Sequence, residues 1–201
     1  LAFGVRYAFT YLGITLTFGY FIELIGLKSG WPFGIYSYDP SLGPQIFDVP
    51  LVVPFAWAMI AHPILCAARR VAGNWVFLYG GFGLMAYDLF LDPQMVSAGR
   101  WKWEVTGSHV PFTPEVPLSN AVGWLLSGMA LTALLHLSLP RERRKVSAGF
   151  AAIDIFLIWT WFAGVISNLF FFDRPGIAFL FGLTFGAVLA PFIFSRWLGR
   201  P

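Results

Sequence analysis

Charge is scarce in this chain. Only 11% of its 201 residues are Asp, Glu, Lys or Arg, against 58% that are hydrophobic. A soluble domain carries about 25% charged residues. Too few are present here to cover a water-facing surface, so the composition specifies an integral membrane protein, read as one domain over residues 1–201. Cysteine is nearly absent. Cys66 stands alone, which excludes an intramolecular disulfide and a cysteine-based metal site. The three histidines, His62, His109 and His136, are dispersed. No His-x-x-x-His or Glu-x-x-His spacing occurs, so no metal is expected. No Gly-x-Gly-x-x-Gly and no phosphate loop occur either, so no nucleotide is expected. Ser119 has no histidine beside it in sequence, which argues weakly against a serine hydrolase. The formal charge of +3 is small and falls beside apolar runs, so no nucleic-acid partner is expected. An initiator Met is also missing and the chain opens inside an apolar stretch. It is expected to be truncated at its N-terminus; no cleavable leader is recognisable in the first apolar run.

What is present is long apolar runs. A helix needs about 20 predominantly apolar residues to cross the hydrocarbon core. Six spans are predicted, at 5–27, 49–68, 73–91, 119–139, 149–171 and 176–197, giving an all-α, polytopic transmembrane bundle. Arg69 to Ala72 is a tight connection between the second and third. Gly73, Gly80, Gly81 and Gly83 thin one face of the third for close packing. Pro54 and Pro63 are expected to kink the second span and Pro191 the last. Two long connections, 28–48 and 92–118, are rich in Gly, Pro, Trp and Tyr and are expected to be ordered loops on the bundle. Arg6, Arg69, Arg70, Arg141, Arg143, Arg144, Lys145, Arg196 and Arg200 fall on one side, and Lys28, Arg100, Lys102 and Arg174 on the other. The first side is predicted cytoplasmic.

The acids are distributed the opposite way. Glu23, Asp39, Asp48, Asp88, Asp92, Glu104, Glu115 and Asp173 belong to the non-cytoplasmic half; only Glu142 and Asp154 do not. Asp154 is expected to pair with the basic loop or to cap locally. Glu23 and Asp88 each lie about one turn before the end of an apolar span, hence at similar depth. Asp88 and Asp92, at i and i+4, share a helix face. A carboxylate in hydrocarbon is costly and marks a functional position by default. The competing reading is a structural hydrogen bond, or an ion pair with Arg100 or Lys102. Asp92, just before Pro93, also reads as a helix end. Asn120 opens the fourth span on that side and Asn168 nears the end of the fifth. One polar pocket roofed by the two loops would collect all of these. His62 reads as a packed kink residue.

Three clusters set carboxylate or amide beside aromatic rings. They are Gly30-Trp31-Pro32-Phe33-Gly34-Ile35-Tyr36-Ser37-Tyr38; Asp88-Leu89-Phe90-Leu91-Asp92-Pro93 with Gly99-Arg100-Trp101-Lys102-Trp103; and Pro117-Leu118-Ser119-Asn120-Ala121-Val122-Gly123-Trp124. Taken singly, each Trp or Tyr reads as part of an interfacial belt. Their density in two loops on one face suggests a wall that stabilises a cation.

As an ordered set these clusters resemble the integral-membrane carotenoid hydratases. The likeness runs from Glu23 through Pro32–Tyr38, Val49-Pro50, Val53-Pro54 and Trp57 to Asp88, Asp92-Pro93, Gly99–Trp103, Asn120 and Gly123-Trp124. It covers roughly residues 15–125. Asn120-Ala121-Val122 departs from an Asn-Phe that often precedes Gly-Trp in the family, and family members are typically longer at the N-terminus. The resemblance implies addition of water to the terminal isolated double bond of an acyclic carotenoid end, with no redox cofactor or nucleotide. Such an alkene is a very weak base. Hydrating it needs an un-ionised buried acid to protonate carbon, then water to capture the tertiary cation. Asp88 is the expected acid, with Glu23 or Asp92 orienting water. Tyr36, Tyr38, Trp57, Trp101, Trp103 and Trp124 would form the wall, and Asn120 and Asn168 would bind water or orient a carboxyl. The polyene would lie between helices, where the glycine-thinned third span suits a slender rod. The expected partners are the carotenoid and membrane lipid, with a homo-oligomer or other carotenoid-pathway enzymes as further candidates. The expected location is the cell membrane of a prokaryote. A carotenoid cyclase, which lets an internal double bond capture the cation, is the nearest rival. A proton-coupled transporter and a non-catalytic carotenoid-binding protein are the others.

Overall fold

A computed structural model describes residues 3–140 and 151–197. It is an all-α bundle of six helices: α1 (Val5–Ser29), α2 (Val52–Val71), α3 (Val76–Ser97), α4 (Leu118–Ser138), α5 (Ala151–Phe170) and α6 (Pro175–Trp197). All except α3 are long and apolar enough to cross a membrane. The exception carries Asp88, Asp92 and three glycines in its middle, and it is enclosed by the others. It packs chiefly on α4 and α6, while α1 lies against α2 and α5 against α6. The basic stretch Arg141–Lys145, with Glu142, lies outside the described residues, as does Arg200. Asp154 falls in the first turn of α5.

Three expectations need correction. The third helix does not stop at residue 91: it continues through Asp92 and Pro93 to Ser97, so Asp92 is a mid-helix residue rather than a terminator. Pro54 sits in the first turn of α2, where its missing N–H has no intrahelical partner to lose; only Pro63 interrupts the interior. The glycine face of α3 is not an open slot. Thr132 and Met129 of α4 press on Gly80 and Gly81, and Ile64 of α2 presses on Gly83. Small residues there bring helix backbones together.

The two long connections are ordered by pairing with each other. Strand β1 (Tyr36–Tyr38) from the first runs antiparallel to β4 (Trp101–Trp103) from the second, in the register Tyr36–Trp103, Ser37–Lys102, Tyr38–Trp101. Side chains alternate across a strand. The four aromatics therefore share the face turned to the bundle, and Ser37 and Lys102 are exposed on the other. Two further hairpins flank this ribbon: β2 (Gln45–Ile46) with β3 (Val49–Pro50), and β5 (His109–Val110) with β6 (Thr113–Pro117). Arg174 fastens the second connection by donating to Glu115 Oε1 at 2.6 Å and to Ser97 Oγ at 2.8 Å.

At the opposite end, two adjacent arginines close helix ends. The last carbonyls of a helix lack intrahelical partners. Arg69, in the last turn of α2, donates to the carbonyls of Leu135, His136, Leu139 and Pro140 at 3.0–3.2 Å, which terminate α4. Arg70 does the same for α6 through Ser195 Oγ and its carbonyl, at 2.8 and 2.9 Å. The C-terminal ends of α2, α4 and α6 are thereby fixed at one level. His62, above them on α2, is packed edge-on by Tyr7 and Tyr11. Arg69→Ala is expected to lower stability by about 2 kcal/mol or more, without rescue by Arg69→Lys, whose single ammonium cannot reach four carbonyls. Thermal unfolding of the detergent-solubilised variants measures this.

Candidate active site

The buried residues of α1 form one stripe: Tyr7, Tyr11, Thr15, Gly19, Glu23 and Gly26. Glycine on either side of Glu23 has a steric purpose. A side chain at Gly19 would press on Trp57, and one at Gly26 would strike Tyr36 and Phe33. The two gaps let α2 and the first connection close over the carboxylate. Gly30, left-handed at φ 72°, ends α1 by donating to the Gly26 carbonyl, and the chain turns back toward Glu23.

Three donors converge on Glu23. Oε2 accepts the hydroxyls of Tyr36 and Tyr38, both at 2.7 Å, and Oε1 accepts the indole N–H of Trp57 at 3.0 Å. The carboxylate is 3% exposed. Burial, reinforced by the negative charge of Glu23, pushes both phenols far above the ordinary tyrosine range, so both remain donors.

A second acidic group faces it. Asn120, in the first turn of α4, reaches α3 and donates from Nδ2 to Asp88 Oδ2 at 2.8 Å and to Asp92 Oδ2. Asp92 Oδ1 accepts the Trp101 indole N–H at 3.2 Å. Asp88 Oδ1 is buried and receives no donor among the described residues. An oxygen that no donor reaches is the one free to carry hydrogen itself. The ion pair of Glu23 or Asp88 with Arg100 or Lys102 does not occur among the described residues. Arg100 instead donates to Ser41 Oγ at 2.7 Å, and Lys102 points away on the exposed face of the ribbon.

These groups surround one cavity of about 220 Å³. Its polar lining is Glu23, Asp88, Asp92 and Asn120. Its aromatic wall is Tyr36, Tyr38, Trp57, Trp101, Trp103 and Trp124, joined by Phe33. Trp57 and Trp124 stack at 4.0 Å between centroids, 7° from parallel. Across the ribbon, Tyr36 meets Trp103 at 6.0 Å and Tyr38 meets Trp101 at 5.8 Å. Of the eleven residues singled out from sequence, ten line this cavity. Asn168 does not: its amide donates to the Gly164 carbonyl inside α5, beside α6. Reasoning from sequence missed Phe33 and the aliphatic side formed by Leu42, Val52, Val53, Ala56, Leu91 and Met95. Nothing distinguishes those aliphatics from ordinary lipid-facing residues. The alternations Tyr-Ser-Tyr and Trp-Lys-Trp could have revealed the ribbon, because period two is the signature of a strand.

A family model described as carotenoid biosynthesis protein matches residues 1–189. The chain is 32% identical over 177 residues to bisanhydrobacterioruberin hydratase of Haloarcula japonica, covering 82% of this chain and 58% of that protein. It thus spans about three-fifths of that relative's length. It is 24% identical over 157 residues to the heme-binding subunit of a protein-methionine-sulfoxide reductase from Cronobacter sakazakii, covering 74% of this chain and 73% of the other. No solved structure matches the chain.

Replacing both Tyr36 and Tyr38 by Phe leaves Glu23 Oε2 without a donor. The double variant is expected to lose about 2–4 kcal/mol, since hydrogen bonds to a charged group contribute about 1.5–3 kcal/mol each and are not additive. Each single variant should lose less than half of that, because the remaining hydroxyl still holds Oε2. Thermal unfolding, followed by near-UV circular dichroism of the tryptophan wall, distinguishes the three.

Proposed function

The chain belongs to the carotenoid biosynthesis protein family, and from that premise we propose that it hydrates the terminal isolated double bond of an acyclic carotenoid end. The observation that carries this reading is the meeting of two acidic clusters across one aromatic-walled cavity. The likeness to a hydratase, over part of that protein's length, supports the same direction.

Protonating an isolated alkene requires an acid that arrives with its proton, and a base that arrives without one must take a proton from water. Asp88 and Asp92 supply the same group in both forms, one helical turn apart, with Asn120 holding an oxygen of each. Asp88, through its donor-free Oδ1, transfers a proton to the less substituted alkene carbon. The tertiary cation forms at the other carbon. Glu23 already accepts three hydrogen bonds, so it acts as a fixed negative charge facing that cation rather than as its acid. The tryptophan and tyrosine faces add to the stabilisation; a desolvated cation over a ring gains about 2 kcal/mol or more. Water attacks the cation, its surplus proton passes to Asp92, and return of that proton to Asp88 completes the cycle. One C–H and one C–O bond form, the π bond is consumed, and nothing is oxidised or reduced. The reaction therefore needs no redox cofactor. We place the end of the bundle carrying Arg69 and Arg70 on the cytoplasmic side, by its excess of basic residues, and the cavity toward the other side.

The test is expression of the full-length protein in a bacterium that makes lycopene, with pigments resolved by chromatography, absorbance and mass. A product heavier by one water with an unchanged visible spectrum is expected, because the reacting double bond lies outside the chromophore. Unchanged mass with a blue-shifted spectrum would identify a cyclase instead. Asp88→Asn is expected to lower turnover by at least about a thousandfold, equivalent to about 4 kcal/mol of barrier, while thermal stability stays near wild type. Wild-type turnover in that variant would remove Asp88 from the acid role.

A further inference from the structure

The cavity is too small for the substrate class proposed for it. An apolar cavity of about 150 Å³ takes up a single benzene. At about 220 Å³, this one takes the end group of an isoprenoid and not its length. The remainder of the molecule has to leave the cavity, and the lining indicates where. The carboxyl and amide groups of the lining come from α1, α3 and α4. The lining also has an aliphatic part that is not fully buried: Leu42 from the first connection, Val52, Val53 and Ala56 at the start of α2, and Leu91 and Met95 in the last turns of α3. Val52 is about half exposed there. It begins a stripe with Phe55 and Met59, at i, i+3 and i+7 on the outer face of α2, each at least half exposed or nearly so. The aliphatic mouth and this stripe are continuous.

Resting on the hydratase reading above, we propose that the protein binds only the end group of its substrate, through this mouth, while the polyene lies outside along the Val52–Phe55–Met59 face of α2. Lipid tails are as apolar as leucine, so a chain lying against that face gains little by leaving the bilayer. Recognition is then confined to the terminal isopropylidene group. Two consequences follow from this geometry. A short terpenoid carrying the same isolated end is a substrate. A carotenoid with two such ends is hydrated one end at a time, with release in between, because the far end lies outside the cavity and the molecule has to withdraw before it can present that end.

The purified full-length protein in lipid nanodiscs is given citronellol, whose isolated isopropylidene end matches that of an acyclic carotenoid, and in parallel lycopene. Products are read by mass. Citronellol is expected to gain one water, and Asp88→Asn should abolish that gain. In the early phase with excess lycopene, singly hydrated product should exceed doubly hydrated product by about tenfold or more. Val52→Trp, at an exposed position that tolerates bulk, is expected to slow lycopene hydration by about tenfold or more by narrowing the mouth. Hydrated lycopene without hydrated citronellol would overturn the end-group proposal and leave the hydratase reading standing. So would doubly hydrated lycopene as the first product, and a wild-type rate for Val52→Trp would overturn the route along α2. Hydration of neither compound would overturn both readings.

Discussion

A carboxylate buried in an apolar bundle persists only where donors replace the water it gave up, and the three donors on Glu23 shape the rest of this molecule. They come from two separate parts of the chain. Tyr36 and Tyr38 belong to the first long connection, and Trp57 to α2. Meeting them fixes where that connection crosses the helices and how close α2 approaches α1. The glycines on either side of Glu23 are the steric condition for this meeting. The alternation of β1 then places two hydroxyls on one carboxylate oxygen and leaves Ser37 outside. Because β1 pairs with β4, the same requirement brings Trp101 to Asp92. The second acidic cluster is thus positioned partly by the first.

Much of this could be read in the sequence, for physical reasons. Apolar runs of membrane-spanning length are an unambiguous signal, and acids inside them are costly enough to be informative. Equal distance from the span ends placed Glu23 and Asp88 at one depth, and a spacing of four placed Asp88 and Asp92 on one face. Asn120 followed from its position at the start of α4. Asn168 had the same credentials and yet turns into α5, because an amide can satisfy itself on a carbonyl one turn back. Depth along a helix is legible; azimuth is not, when all faces are apolar. The same limit hid the aliphatic mouth. Pro93 misled for another reason. Proline usually ends a helix, but inside a bundle the chain has little else to bond with, and α3 runs on to Ser97.

The two ends of the bundle are stabilised by different means. At one end, Arg69 and Arg70 bond directly to the terminal carbonyls of α4 and α6. At the other, loops, short strands and an ion pair between Arg174 and Glu115 cover the helix ends. Guanidinium groups on carbonyls hold helices at fixed distances with little room to breathe. Short strand pairs and connections adjust more readily.

The spacing of partners along the chain also bears on biosynthesis. The donors to Glu23 lie 13, 15 and 34 residues beyond it. They leave the ribosome with or soon after α1, so the first acid is accommodated as soon as α2 has been made. Asp88 finds its amide donor in Asn120, 32 residues later, and Asp92 its indole donor in Trp101, nine residues later. Glu23 and Asp88 are thus both made before groups that bond to them. α3, which carries Asp88, packs most extensively on α4, which carries Asn120. Gly80 and Gly81 let α4 approach closely, and Asn120 bonds across the same interface. Residues that equip the cavity therefore also join α3 to α4.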